Sequence, residues 1–185
     1  AFRESGRALR MDQVAQFLAW DEKHPSSISN CIHACRENAR SVRGAITAEM
    51  WECINDTWLQ IQQRRNHMLN NESSLDSAFF EWVKERSHLF RGVTFATIQR
   101  DQPYLFIRLG TYLERADNTA RLLDVKFHGT EGKLPDTTER DFYHWAAVLR
   151  SVSAFETYRK AYRGVITPEH VAELLILRAD MPRSL

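Results

Sequence analysis

Residues 104–128, YLFIRLGTYLERADNTARLLDVKFH, decide how the rest of the chain is read. At about 100° per residue, Leu109, Leu113, Ala116, Ala120, Leu123 and Phe127 fall on one stripe, the spacing of a core-facing helix. The opposite face holds Gly110, Glu114, Asn118 and Arg121, with Arg108 and Arg115 along one edge and Asp117 and Asp124 along the other. A glycine inside a helix costs roughly 1 kcal/mol against alanine, so Gly110 suggests a close approach to the backbone. Two readings follow. The polar face is solvated and laced with local pairs such as Asp117 with Arg121. Alternatively it is a second packed face, in which Glu114 and Arg115 must be paired because desolvating an ion is costly.

Before that helix, the apolar spacing predicts a short helix from Asp12 to Trp20, then a turn through HPSSIS with Ser26 or Ser27 as N-cap. A second helix should run to about Arg43 and close at Gly44. On it, Arg36, Arg40 and Arg43 line up at helical spacing, either as an anion-binding ridge or as partners for neighbouring carboxylates. Cys31 and Cys35 share its apolar face with Ile28, Ile32, Ala39 and Val42 and, with Cys53, read as core thiols of a reducing compartment. Thr47 should cap a third helix with Met50, Trp51, Ile54, Trp58, Ile61 and Met68 on a broad apolar face. A fourth, from about Leu75 into Arg91 and ending at Gly92, should bury Phe79, Trp82, Val83, Phe90 and Val93.

That fourth helix carries Glu85 and His88 at the Glu-x-x-His spacing of di-iron bundles, weakly echoed by Asp141 and His144. His88 falls opposite the apolar stripe, so no metal is expected. Beyond the central helix, GTEGKLPDT reads as a flexible connection. A helix from about Thr138 to Tyr162 should bury Trp145, Val148, Leu149, Val152 and Phe155, with Glu156 and Arg159 as an internal or boundary pair. Thr167, Pro168 and Glu169 form an N-cap, a proline at N1 and an early acid for a last helix through Leu177.

No stretch alternates as a strand, so the fold class is all-α, an antiparallel bundle of about six or seven helices forming a single helical domain over residues 1–185. The net charge of +1 argues against a nucleic-acid footprint or a polybasic membrane anchor. Lysine occurs only at positions 23, 84, 126, 133 and 160, and the arginine-rich remainder suits bidentate contacts to carboxylate or phosphate. With no transmembrane-length apolar run and no signal-like start, a cytoplasmic location is expected. Phosphate-binding glycine loops, nucleophile elbows and paired metal-ligand motifs are missing, so no cofactor is expected. Alternating surface charge leaves an oligomer open.

Three stretches together resemble the bacterial alpha-E family, a predicted helical domain with a Glu-Arg motif and no assigned molecular function. They are CRENARSVRGAITAEMWECIN from Cys35, RDQPYLFIRLGTYLERADNTARLLDV from Arg100, and AVLRSVSAFETYRKAYRGVITPEHVAELLILRADMPRSL from Ala147. Family members usually open with an additional Glu-Arg helix similar to Tyr112–Val125 and continue past PRSL, so the resemblance implies a fragment whose polar central face packs on a missing helix. It also implies association with a circularly permuted ATP-grasp ligase and a transglutaminase-like peptidase in systems that make or modify peptides. Under that resemblance the chain is a non-catalytic partner or substrate-holding component. Its binding residues are Arg36, Arg40, Arg43, Arg108, Glu114, Arg115, Asn118 and Arg121. Two alternatives stand beside it. One is an enzyme using Glu114 as general acid or base while arginines hold a carboxylate or phosphate. The other is a purely structural scaffold with Glu114 and Arg115 as internal clamps.

Overall fold

The computed structural model describes residues 2, 6, 9–71, 75–128 and 139–181. Among them are eight α-helices and no strand: α1 (Met11–Trp20), α2 (Ile28–Ser41), α3 (Ala48–Asn71), α4 (Ser77–Thr97), α5 (Gln102–His128), α6 (Glu139–Ser151), α7 (Phe155–Ala161) and α8 (Pro168–Ile176), with a 3₁₀ turn at Arg43–Ala45. The all-α expectation holds. Contacts group the chain into two compact units, Ala1–Tyr104 and Leu105–Leu185. The GTEGKLPDT connection lies outside the described residues.

In the first unit α2 packs on both α1 and α3, and α3 on α4. Local chemistry sets each entry. Asp21 Oδ1 accepts the amides of Lys23 and His24, turning the chain after α1. The Asn30 amide reaches the carbonyls of Glu22 and His24 at 3.0 and 2.9 Å, fixing that turn to α2. Fully buried Ser27 accepts the Asn30 amide and caps α2. Thr47 caps α3 through the Met50 amide, and Asp76 caps α4 through that of Phe79. Ala19, Trp20, Ile61, Phe79 and Trp82 form the unit's buried centre.

Two glycines expected to end helices do not. α2 stops at Ser41, and Gly44 sits inside the 3₁₀ turn. α4 runs through Gly92 to Thr97, because an isolated glycine lowers helix stability without removing a backbone hydrogen bond. Cys31 and Cys35 are exposed and only Cys53 is buried, which corrects the expectation of three core thiols. Cys35 faces an open apolar groove of about 180 Å³ that it lines with Ile54, Val83 and Phe90.

In the second unit Trp145, Leu149, Val152, Tyr158, Val171, Leu174 and Leu175 share one core, joined by Leu123 of α5. The Tyr158 hydroxyl donates to the Val165 carbonyl and accepts the Thr167 amide, pinning the approach to α8. Thr167 caps α8 with Pro168 in its first turn. The helix expected over Thr138–Tyr162 is two helices. Ser153 adopts φ 55°, its amide donates to Arg150 O, and Ala154 donates to Leu149 O at 2.8 Å. These bonds form a Schellman ending with serine where glycine is usual. The chain therefore restarts at Phe155 with a new direction, and Glu156 and Arg159 are exposed instead of forming an internal pair.

Candidate functional site

The wheel of α5 is rotated from the expected one. Leu109 and Leu113 are 52% and 63% exposed, with Leu105, Phe106 and Tyr112 beside them. The covered arc instead runs through Tyr104, Ile107, Thr111, Arg115, Thr119, Leu122 and Leu123. Apolar residues occur around much of this helix, so spacing alone does not select the arc that packs. Gly110 also departs from its reading: a Cβ there would meet no atom within 4 Å.

On α5, Glu114 is exposed and accepts the Asn118 amide at 3.4 Å. Arg121 pairs with Asp117 at 2.6 Å, and this contact holds the guanidinium's proton more tightly than usual. Arg108 donates to the Tyr112 hydroxyl and lies 4.9 Å from its ring centroid. These are the local i,i+4 contacts of a solvated helix face, where solvent screening leaves each of them weak. Arg115, half-buried, is the member of the set that the fold partly covers.

Arg36, Arg40 and Arg43 are brought together. Helical spacing stacks Arg36 and Arg40 on one face of α2, and the 3₁₀ turn carries Arg43 past its end. Arg36 Nε donates to Asn55 Oδ1 at 2.9 Å, and its Nη1 meets Glu37 Oε1 at 2.6 Å. Glu37 Oε2 lies 3.8 Å from Arg40. Trp51 of α3 lies between two cations, with the guanidinium carbons of Arg36 and Arg43 each 5.8 Å from its ring centroid. Arg43 also donates to the Ile46 carbonyl at 3.3 Å. Two guanidiniums thus lie against one aromatic ring, and Glu37 links Arg36 to the third arginine, Arg40. Arg36 is held in place, its side chain 25% exposed, while Arg40 at 69% remains open to solvent. Planar guanidinium forks of this kind can each take two acceptor oxygens.

Sequence reasoning passed over Arg86. It donates to Thr57 Oγ1, to the Cys53 carbonyl and to Asp56, clipping α4 onto α3 with its side chain 15% exposed. Helix spacing places it beside the apolar stripe, but no local signal distinguishes it from a surface arginine. Among the described residues no group of three His, Cys, Asp or Glu side chains converges as a metal site, and Glu85 and His88 are exposed. None of the described helices is long and apolar enough to cross a membrane.

The described residues are thus helical throughout both compact units, with arginine–carboxylate pairs at the surface. The family model Alpha-E, "a predicted alpha-helical domain with a conserved ER motif", matches residues 1–185, and the chain belongs to that family. No curated protein and no solved structure matches it.

Proposed function

We propose that this Alpha-E chain is a non-catalytic partner or substrate-holding component of a peptide-making or peptide-modifying system. The ligase of that system is a circularly permuted ATP-grasp enzyme, accompanied by a transglutaminase-like peptidase. The observation that carries the proposal is the Arg36–Trp51–Arg43 stack with Arg40 at its edge. Such a surface suits a carboxylate or phosphate presented by a partner or its substrate, because planar forks take two acceptor oxygens at once. The sequence resemblance supplies the partner's identity. Glu114 supports the enzymatic alternative less well: it is exposed, and its hydrogen bond goes to Asn118 of the same helix.

Co-expression of the full-length chain with the ATP-grasp protein tests the proposal. Stable co-purification is expected. The double variant Arg40→Glu/Arg43→Glu should weaken it by about tenfold or more, since like charge opposes an anionic surface, while helicity stays unchanged. Failure of the unsubstituted proteins to associate, with the ligase activity indifferent to this chain, would end the proposal.

A further inference from the structure

A second candidate site lies in the first unit and shares no residue with the arginine stack. A groove of about 830 Å³ opens along α3, bounded by Trp20 at the end of α1 and by Leu75 and Phe79 at the start of α4. Its volume falls within the roughly 300–1,000 Å³ typical of small-molecule sites. One wall is apolar, made by Met68, Leu75 and Phe79.

The polar groups on the groove divide by whether the protein already uses them. Asp56 is taken by Arg86 and by the Gln60 amide, and the Gln60 carbonyl by the Trp82 indole. Asp76 is taken by the Phe79 amide. Asp56 and Asp76 each keep one oxygen outside these contacts, and His67 also lines the groove. Arg64 rests on the Trp82 ring at 4.6 Å and has no carboxylate partner among the described residues. Gln63 beside it is exposed.

We propose that this groove binds a small organic carboxylate with an apolar body: the carboxylate meets Arg64 and Gln63, and the body lies on Met68, Leu75 and Phe79. The cation–π contact fixes the plane of Arg64 before binding, so less side-chain entropy is lost when the anion arrives. Nothing in this assignment uses Arg36, Arg40 or Arg43, and it stands or falls separately from the partner proposal.

The full chain titrated with 3-phenylpropionate provides the test, read by calorimetry and by tryptophan fluorescence, since Trp20 lines the groove and Trp82 lies beneath Arg64. Saturable binding is expected, with the neutral analogue 3-phenylpropionamide and the variant Arg64→Gln each weaker by about tenfold, the usual penalty for losing a charge-assisted contact. Arg40→Gln should leave binding unchanged. Arg64 is exposed and its one described contact is with the face of the Trp82 ring, so Arg64→Gln is expected to fold, which far-UV circular dichroism checks. Absence of saturation, equal affinity for the amide, or an Arg64→Gln variant that binds as well as its parent would overturn the assignment.

Discussion

The guanidinium of Arg86 donates to the main-chain carbonyl of Cys53 at 3.1 Å, so a side chain of α4 is bonded to the backbone of α3. The same group holds Thr57 Oγ1 and Asp56 at 2.8 Å each, and Thr57 in turn donates to the Cys53 carbonyl. Arg86→Met keeps the aliphatic stem and removes all three contacts. It should lower stability by about 2 kcal/mol, or roughly 4–8 °C in thermal midpoint for a chain of this size. Arg86→Lys should recover part of the loss. An unchanged midpoint for Arg86→Met would mean the clip is idle.

Much of this fold is legible in the sequence because caps are local chemistry. Ser27, Thr47, Asp76 and Thr167 each accept an amide three residues on, and serine, threonine or aspartate before an apolar-periodic run announces that. The face of α5 was not legible. Leu109 and Leu113 satisfy the spacing rule as well as Ile107 and Leu122 do, and only tertiary contact chooses between the arcs. The division at Tyr104 and Leu105 was hidden for a related reason: it falls inside a continuous helix, with no proline- or glycine-rich linker to mark it. Of the candidate residues, Arg36, Arg40 and Arg43 converge through spacing visible in the sequence. Arg64 and Trp20 meet one groove only after α1 folds onto α3 and α4, which no local pattern encodes.

Glu114 offers a direct test of the structural-clamp reading of the Glu-Arg pair. Loss of one member of a buried ion pair costs about 3–5 kcal/mol. Glu114 is exposed, and its hydrogen bond among the described residues goes to Asn118, so Glu114→Gln should change stability by less than ~0.5 kcal/mol. In a thermal melt the shift should stay within roughly 2 °C. A drop several times larger would restore the clamp.

Gly110 lies on open helix surface, where a methyl group would touch nothing. Gly110→Ala should then stabilise the chain by about 0.5–1 kcal/mol through reduced backbone freedom in the unfolded state. The midpoint should rise by roughly 1–4 °C. A fall instead would show that another surface packs against that turn of α5.

Ser153 is the position where helix propensity and tertiary structure disagree. Its φ of 55° places a side-chain-bearing residue in the left-handed region so that α6 can end and α7 can begin. Ser153→Gly removes the steric cost and should raise stability by ~0.5–1 kcal/mol, after the extra freedom of glycine in the unfolded chain is subtracted. Ser153→Val should lower it by more than that, because a β-branched residue resists this conformation most. Chemical denaturation of the two variants beside the parent checks both signs.

Cys35 couples the small apolar groove to pH. Desolvation pushes its thiol up, and the neighbouring Cys53 and Cys31 add to the effect. Its surface is open to the groove, yet Ile54, Val83 and Phe90 surround it closely enough to disfavour a thiolate. A folded value above the unfolded one means that the folded state keeps its proton after the unfolded chain has released it. The contribution to stability is therefore complete below the ordinary thiol value and is lost as pH rises through the folded value. Burial pushes the Cys53 thiol in the same direction, so the parent loses stability on two accounts in alkali. Cys35→Val fills similar space without an ionisable group and should flatten the decline that begins at the ordinary thiol value and continues above it. Urea unfolding at several pH values reads this slope, and parallel slopes for parent and variant would show that Cys35 carries none of it. Peptide-level alkylation rates supply an independent check: the midpoint for Cys35 should lie above that of a solvent-exposed model thiol.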